Sequence, residues 1–373
     1  MAFGYSAHSK MHSEKPFFRV FPPPEIMLMP SVGLDISDHT ARFIELKTKA
    51  GKIEIGRHGE KTIPDSTLSL GEIKDAAALK TALSALAKEN DLSFVRMSLP
   101  EEKAYLFRTE VPLLSPEETK ENIAFQLEEH VPIGAGDAVF DYVVANPLFG
   151  KIGGAMREVV VSVFPREFIE GYVDVLAGAG LTPLSFEMEA SAIARSLVPV
   201  NNLKTYMIVD FGYKRTGIII VSRGAVHLST TVDIGGEALT EAIEKKLSIT
   251  RDEAEALKRE GAFSRNGRYR EMFPLLLDAI TSLKDQVNKL FVYWHNHPDK
   301  KDATPPPIER IILTGGDANL EGLSDHFALA MRVPAEVGNV WSNILRTNEE
   351  VPSISFSESL SYAVAIGLAM RDL

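Results

Sequence analysis

Two short stretches carry residue types that could do chemistry. Residues 32–46, VGLDISDHTARFIEL, run an apolar strand into Asp35, turn through Ser37, Asp38, His39 and Thr40, and leave as a second apolar strand. Residues 207–221, MIVDFGYKRTGIIIV, repeat the plan around Asp210, with Gly212, Tyr213, Lys214, Arg215 and Thr216 in the turn. A third small-residue turn, Gly315-Gly316-Asp317, joins a strand to a helix in IERIILTGGDANLEGL. Backbone N–H groups exposed in such turns form concave anion sites without needing a basic side chain. Two hairpins facing one another could grip a polyphosphate from opposite sides. The aspartates cannot hold phosphate directly, because like charges repel, but they could hold Mg²⁺ through water. The Gly-Gly turn would lay bare backbone against a nucleoside, where side chains would obstruct.

Other chemistries lack their residues. No G-x-x-x-x-G-K-[ST] and no G-x-G-x-x-G after a strand occurs, nor any H-E-x-x-H or G-x-S-x-G. His295 and His297 lie in a polar stretch without further ligands at metal spacing, and Glu128-Glu129-His130 reads as a solvated helix face. Cysteine is absent, which removes disulfides, thiolate metal sites and a cysteine nucleophile, and fits a cytoplasmic setting. A net charge of −11 argues against broad nucleic-acid binding, which needs a basic field.

The elements that must position the turns are legible from periodicity. Residues 73–90 place Ile73, Ala76, Leu79, Leu83, Leu86 and Ala87 on one helical stripe. Ser115-Pro116-Glu117-Glu118 writes a helix start: an N-cap hydroxyl, proline at the first position and glutamate at the third. Helices also follow at 166–177 and 275–294, the latter with Leu276, Ile280, Leu283, Val287, Leu290 and Trp294 as a packing stripe. Strands are expected around a turn at Pro100, in AVFDYVVA and in REVVVSVF, so residues 94–183 read as a compact αβ subdomain.

A chain of 373 residues can hold two or three domains, and 45% apolar with 24% charged residues is ordinary for a globular protein. No apolar run approaches the ~20 residues of a membrane span. The first 30 residues contain FFRVF, IMLM and three prolines at 22–24. They read as a partly disordered tail, with a docking strip as the alternative.

With these motifs in place, the chain resembles the actin-like ATPase superfamily, in which two similar α/β halves hold nucleotide between them. Asp35 to Thr40 matches the first phosphate loop (usually D-I-G-S-S-S), Asp210 to Thr216 the second (D-I-G-x-x-x-T), and ILTGGDANLEGL the adenosine motif (L-T-G-G-G-x-x-x-x-G-L). Within the superfamily it is most similar, over about residues 31–371, to the PilM family of type IV pilus assembly proteins, relatives of the division protein FtsA. LSPEETKENIAFQLEEHVPI, YVDVLAGAGLTPLSFEMEASAIARSL and TVDIGGEALTEAI carry that likeness.

The resemblance implies a fold of two halves with an inserted small αβ subdomain. The expected division is a tail at 1–30, the first half at 31–93, the insertion at 94–183 and a return at 184–204. The second half follows at 205–357, with an outer part at 236–308, and a final helix at 358–373 rejoins the first half. It further implies ATP with Mg²⁺ as ligand and a cytoplasmic scaffold held at the inner membrane by partners. Those partners are the N-terminal peptide of a PilN-like membrane protein and other platform proteins, with homo-oligomerisation left open. By position, Asp35 and Asp210 would organise Mg²⁺, and Ser37 to Thr40 with Gly212 to Thr216 would surround the phosphates. Gly315, Gly316 and Asp317 would pack on adenosine, with Gly236 and Glu237 near the ribose and Asn288 and Lys289 toward the base. Glu189 falls where the superfamily places an acid near the attacking water.

The departures are specific. Ser37 replaces the first loop's glycine, Asp38 and His39 replace small hydroxyl residues, and Arg42 stands where lysine is common. Lys214 and Arg215 occupy small-residue positions of the second loop. A carboxylate beside phosphate needs an offsetting cation, so either the basic pair offsets Asp38 or binding is weak. The expectation is ATP binding with weak or absent hydrolysis. A division-filament protein and a small-molecule kinase of the same fold are the alternatives.

Overall fold

The computed structural model describes residues 31–49, 52–145, 156–260, 272–297, 305–345 and 352–371. The tail expected at 1–30 lies outside the described residues.

The chain opens with an antiparallel meander of β1 (Ser31–Ile36), β2 (Thr40–Lys49) and β3 (Lys52–Thr62). After the small β4 (Leu68–Ser69), β5 (Glu72–Ile73) hairpin and helix α1 (Ala76–Asn90), β6 (Phe94–Leu99) adds parallel to β1. Then β7 (Tyr105–Pro112), α2 (Pro116–His130), β8 (Ala138–Val144) and β9 (Met156–Pro165) build a separate antiparallel sheet ordered β7-β9-β8. Helix α3 (Arg166–Gly178) returns to the first half, where β10 (Thr182–Met188) adds parallel to β6, and α4 (Glu189–Leu197) leaves it. The first sheet is therefore ordered β10-β6-β1-β2-β3.

The second half repeats this. β11 (Thr205–Phe211), β12 (Thr216–Ser222) and β13 (Ala225–Val232) are an antiparallel meander. Helices α5 (Gly236–Leu247), α6 (Arg251–Arg259) and α7 (Phe273–Asn296) precede β14 (Ile308–Thr314), which pairs parallel to β11. Helix α8 (Leu323–Met331) and β15 (Ala335–Val337) complete the order β13-β12-β11-β14-β15. Each sheet is a three-stranded meander with two parallel strands added beyond its first strand. The two aspartate turns are thus equivalent corners of equivalent sheets.

Local chemistry sets the boundaries. Ser115 and Glu118 form a reciprocal capping box at α2, as its sequence predicts. Thr250 and Glu253 form another at α6, a helix the periodicity reading did not include. Buried along its whole length, β1 is covered on both faces, as expected for a central strand.

The insertion is narrower than the 94–183 read from sequence. β6 pairs with β1 and β10, while α3 packs Tyr172, Val175 and Leu176 into the first half's core. The separate sheet spans 105–165. Buried parallel strands are apolar runs whichever sheet they join, so their membership is not written in hydropathy.

Helices α9 (Phe356–Ser359) and α10 (Ala363–Ala369) carry the chain from the second half back onto β1. The approach is close enough to require glycine on both partners. A Cβ at Gly33 would lie 1.9 Å from the Ala365 carbonyl oxygen, and one at Gly367 1.9 Å from that of Ala192. Arg195 fixes the same seam, donating to both Glu187 carboxylate oxygens at 2.6 and 2.7 Å and to the Gly367 carbonyl at 2.6 Å. Because backbone cannot step aside as a side chain can, Gly33→Ala is expected to cost about 3 kcal/mol of unfolding free energy by overpacking. Urea denaturation measures it, and a loss within error would show that α10 is not seated on β1.

Candidate functional site

The turn after β1 and the turn after β11 meet where the two halves face one another. His39 stacks on Tyr213 with ring centroids 4.8 Å apart. Lys214 Nζ reaches Asp65 at 3.1 Å. Arg215 crosses to the first half, where it pairs with Glu102 at 2.5 Å, Asp38 at 3.8 Å and Glu189 at 3.9 Å. Of the two basic residues of the second turn, Arg215 faces Asp38 of the first, while Lys214 is engaged with Asp65 beyond β3.

Several turn hydroxyls and amides are committed to local structure. Ser37 Oγ donates to the Thr40 carbonyl at 3.0 Å, and Thr216 Oγ1 donates to the Ile234 carbonyl at 2.5 Å. The Gly212 N–H donates to the Arg215 carbonyl at 3.1 Å, closing its turn. The start of α5 is bolted onto that turn: Gly236 N–H donates to the Gly212 carbonyl and Glu237 N–H to the Tyr213 carbonyl. Glu237 also pairs with Arg251, which donates to the Tyr213 hydroxyl at 2.6 and 2.9 Å.

Carboxyl groups dominate the electrostatics. Asp35 is buried and accepts from Ser98 Oγ at 2.9 Å; burial raises its pKa, against the pull of Ser98, Arg42 and Arg215. Asp210 is pushed up to about 7, first by burial and then by the charge of Asp35. The two aspartates are thus within electrostatic reach of one another. Burial also pushes Glu101 up to about 7 and Glu189 well above the usual range, with neighbouring carboxylates adding to both. So many acids around two guanidinium groups, Arg215 and Arg42, leave a shortage of positive charge. A divalent cation would relieve it. Among the described residues no three acid or imidazole groups are placed to chelate a metal directly, so such an ion would sit behind its own water.

The third turn closes the site. Gly315 adopts φ +93°, and a Cβ there would meet the Phe211 carbonyl oxygen at 2.5 Å and Asp210 Oδ1 at 2.6 Å. Only glycine fits both the backbone geometry and the approach. Beside it, buried Asp317 pairs with fully buried Lys258 at 2.6 Å, and Lys258 also meets Glu255 at 2.9 Å. The Asp317 carboxylate lies 1.9 Å from where a Cβ on Gly236 would be. Gly316, by contrast, has room, its nearest neighbour being Ser361 at 3.9 Å.

The structure does not bring Asn288 and Lys289 into this cluster. Both are exposed on α7, and Lys289 donates to Gln286 on its own helix. Val287 faces the core, and at 100° per residue the next two positions rotate outward. Glu101, Glu102 and Lys258 were not singled out from sequence. Glu101 and Glu102 follow Pro100 at the carboxyl end of β6, where ligand-binding groups of parallel sheets collect, and that position was the available signal. Lys258 had only its i,i+3 spacing to Glu255.

Comparison with known proteins completes the description. The structure of a PilM–PilN type IV pilus biogenesis complex is similar with a TM-score of 0.72, 21% identity, and coverage of 94% of this chain and 99% of that one. The ethanolamine utilization protein EutJ of Carboxydothermus hydrogenoformans gives a TM-score of 0.55 at 16% identity, covering 93% and 91%. MreB5 of Spiroplasma citri bound to ADP gives 0.53 at 14% identity, covering 92% and 95%. These neighbours share the actin-like fold of two α/β halves. The family model described as type IV pilus assembly protein PilM matches residues 33–373, and the chain belongs to that family.

Proposed function

We propose that this chain is a nucleotide-binding scaffold of a type IV pilus assembly platform. It works in the cytoplasm against the inner membrane and engages the short N-terminal peptide of a PilN-like membrane protein. The observation that carries the nucleotide reading is the meeting of the two equivalent aspartate turns, with Asp35 and Asp210 in one underneutralised acidic pocket. The family match and the PilM–PilN neighbour support the pilus reading.

In this reading Asp35 and Asp210 would hold Mg²⁺ through water, and the ion would supply positive charge that screens the phosphates of ATP. Lys214 and Arg215 approach the phosphates from the second half. Burial raises the pKa of Glu189, against the pull of Arg215 and with its acidic neighbours adding to the rise. Nucleotide then acts as a ligand that favours one arrangement of the halves.

ATP with Mg²⁺ at a hundredfold excess over its Kd is expected to stabilise the protein by about 2.7 kcal/mol, read as a thermal shift. Asp35→Ala and Asp210→Ala reduce that shift. No shift at millimolar ATP would refute the nucleotide reading. Calorimetry with the N-terminal peptide of the same organism's PilN-like protein tests the partner, and absence of heat with folded protein would count against the pilus assignment.

A further inference from the structure

Glu101 and Glu102 form a single helical turn, Glu101–Lys103, between β6 of the first half and β7 of the separate sheet. Both carboxylates reach other parts of the molecule, though Glu102 Oε2 is buried without a hydrogen-bond partner. Glu101 accepts from the Ala190 N–H at 2.5 Å with one oxygen, and from Ser229 Oγ on β13 at 2.6 Å with the other. Glu102 accepts from Arg215, in the turn after β11, at 2.5 Å. The turn that leads covalently into the inserted sheet is thus pinned at two points to the second half and at one to the start of α4, beside Glu189.

The inserted sheet itself rests on the second half. Leu106, Ala145 and Val160 pack on Ala225, and Arg108 Nη1 lies 3.0 Å from His227 Nδ1. Beside the turn is a half-open pocket of about 150 Å³, whose lining includes Glu101, Ala104, Leu106, Met188, His227 and Ser229. Close-packed interiors do not deform continuously, so a space of this size gives the turn somewhere to move.

We propose that the Glu101–Lys103 turn is a relay that sets the position of the inserted sheet according to the state of the cleft. Arg215 is its input and β7 its output. Arg215 is the cation shared among Glu102, Asp38 and Glu189, so any cation or anion entering the cleft competes for one side of those pairs. Withdrawal of Arg215 leaves Glu102 beside Glu101 without its counter-charge. A buried carboxyl stripped of its partner is costly to keep in place, which favours a turn position nearer solvent and carries β7 with it. Glu101, Glu102, Ser229 and Arg215 are positioning residues in this scheme. The pinning stands on the geometry alone; the identity of the displacing ligand rests on the nucleotide reading above.

Hydrogen exchange on the full chain tests it, followed in segments 105–112 and 156–165. Without ligand, Glu102→Ala and Ser229→Ala each accelerate exchange in both segments by about tenfold, which corresponds to about 1.4 kcal/mol of local opening. Glu336→Gln, which breaks the exposed Arg310–Glu336 pair between β14 and β15, leaves them unchanged. Wild-type exchange in 105–112 changes on adding ATP with Mg²⁺, and the change is lost in Glu102→Ala. Unaltered exchange in both alanine variants overturns the relay. So does ATP binding, verified by calorimetry, that leaves 105–112 unaffected in the wild type. Accelerated exchange in the variants with no ATP binding to any form upholds the relay and refutes the nucleotide reading instead.

Discussion

Asp210→Asn is expected to make the ligand-free protein more stable near pH 8, not less. In the folded chain the carboxyl of Asp210 is pushed up to about 7 from an ordinary value of 3.8, by burial and by facing Asp35. Between those two values the folded state binds more protons than the unfolded state. Stability therefore falls as pH rises through that window and levels off above about 7. Glu101, also near 7, adds a loss of the same sign. The groups facing Asp210 are Asp35, Arg215 and Arg42, and the two cations do not cancel the penalty. An asparagine of nearly equal shape carries no charge to desolvate. With Asp210 half-buried rather than sealed, a gain of about 2 kcal/mol is expected from a shift of this size at 1.36 kcal/mol per unit. Urea unfolding at about pH 5 and about pH 8 measures it. The wild type is less stable at the higher pH, the variant shows a smaller difference, and Mg²⁺ stabilises only the wild type at the higher pH. A variant destabilised at both values, or a wild type with no pH dependence in this window, would sink the idea. The result would identify a residue kept against its own cost to folding, a mark of binding rather than packing.

How much of this was legible in the sequence follows from what each signal measures. The two aspartate turns were readable because strand–turn–strand alternation is local, and the structure returns them as corners of two sheets with the same strand order. The Ser115 capping box was readable for the same reason. The Thr250 box at α6 carried an equal signal and was passed over, and with it went Lys258, the fully buried cation of the third turn. The 94–183 boundary did not correspond to the sheet pairing because strand membership is a long-range property: β6 and β9 are both apolar, yet one joins β1 and the other β7 and β8. Asn288 and Lys289 were carried over by resemblance, and helix phase places them on the exposed side. The excess of basic residues in the second turn was visible as a departure. Its destination, Arg215 among Glu102, Asp38 and Glu189, required three segments far apart in sequence to be folded together.

Asp317→Gly is expected to tighten nucleotide binding while loosening the ligand-free fold. In the pattern that this chain resembles, glycine follows Gly315-Gly316. Here a carboxylate projects from that position into the space beside Gly236, where not even a Cβ could be added, and holds Lys258 at 2.6 Å. Its pKa is raised by burial, against the pull of Lys258. The carboxylate thus occupies room at the junction of the third turn and α5 and adds negative charge beside the proposed nucleoside site. Glycine removes both, and Lys258 is not left bare, since Glu255 remains at 2.9 Å and accepts its charge. Because that partner persists, the stability cost falls below the 3–5 kcal/mol typical of stranding a buried charge, at about 1–2 kcal/mol. The gain in affinity for ATP with Mg²⁺ is about tenfold, or about 1.4 kcal/mol. Calorimetry at fixed ionic strength reads it, with unfolding midpoints recorded alongside to show that the variant is folded. Lys258→Met in the Asp317→Gly background tests the freed cation, and returns affinity toward the wild-type value if Lys258 reaches the ligand. Equal or weaker binding by a folded Asp317→Gly protein would show that the carboxylate does not obstruct the cleft. The Asp317–Lys258 pair would then be a fastening between the third turn and α6, with no part in selecting what enters.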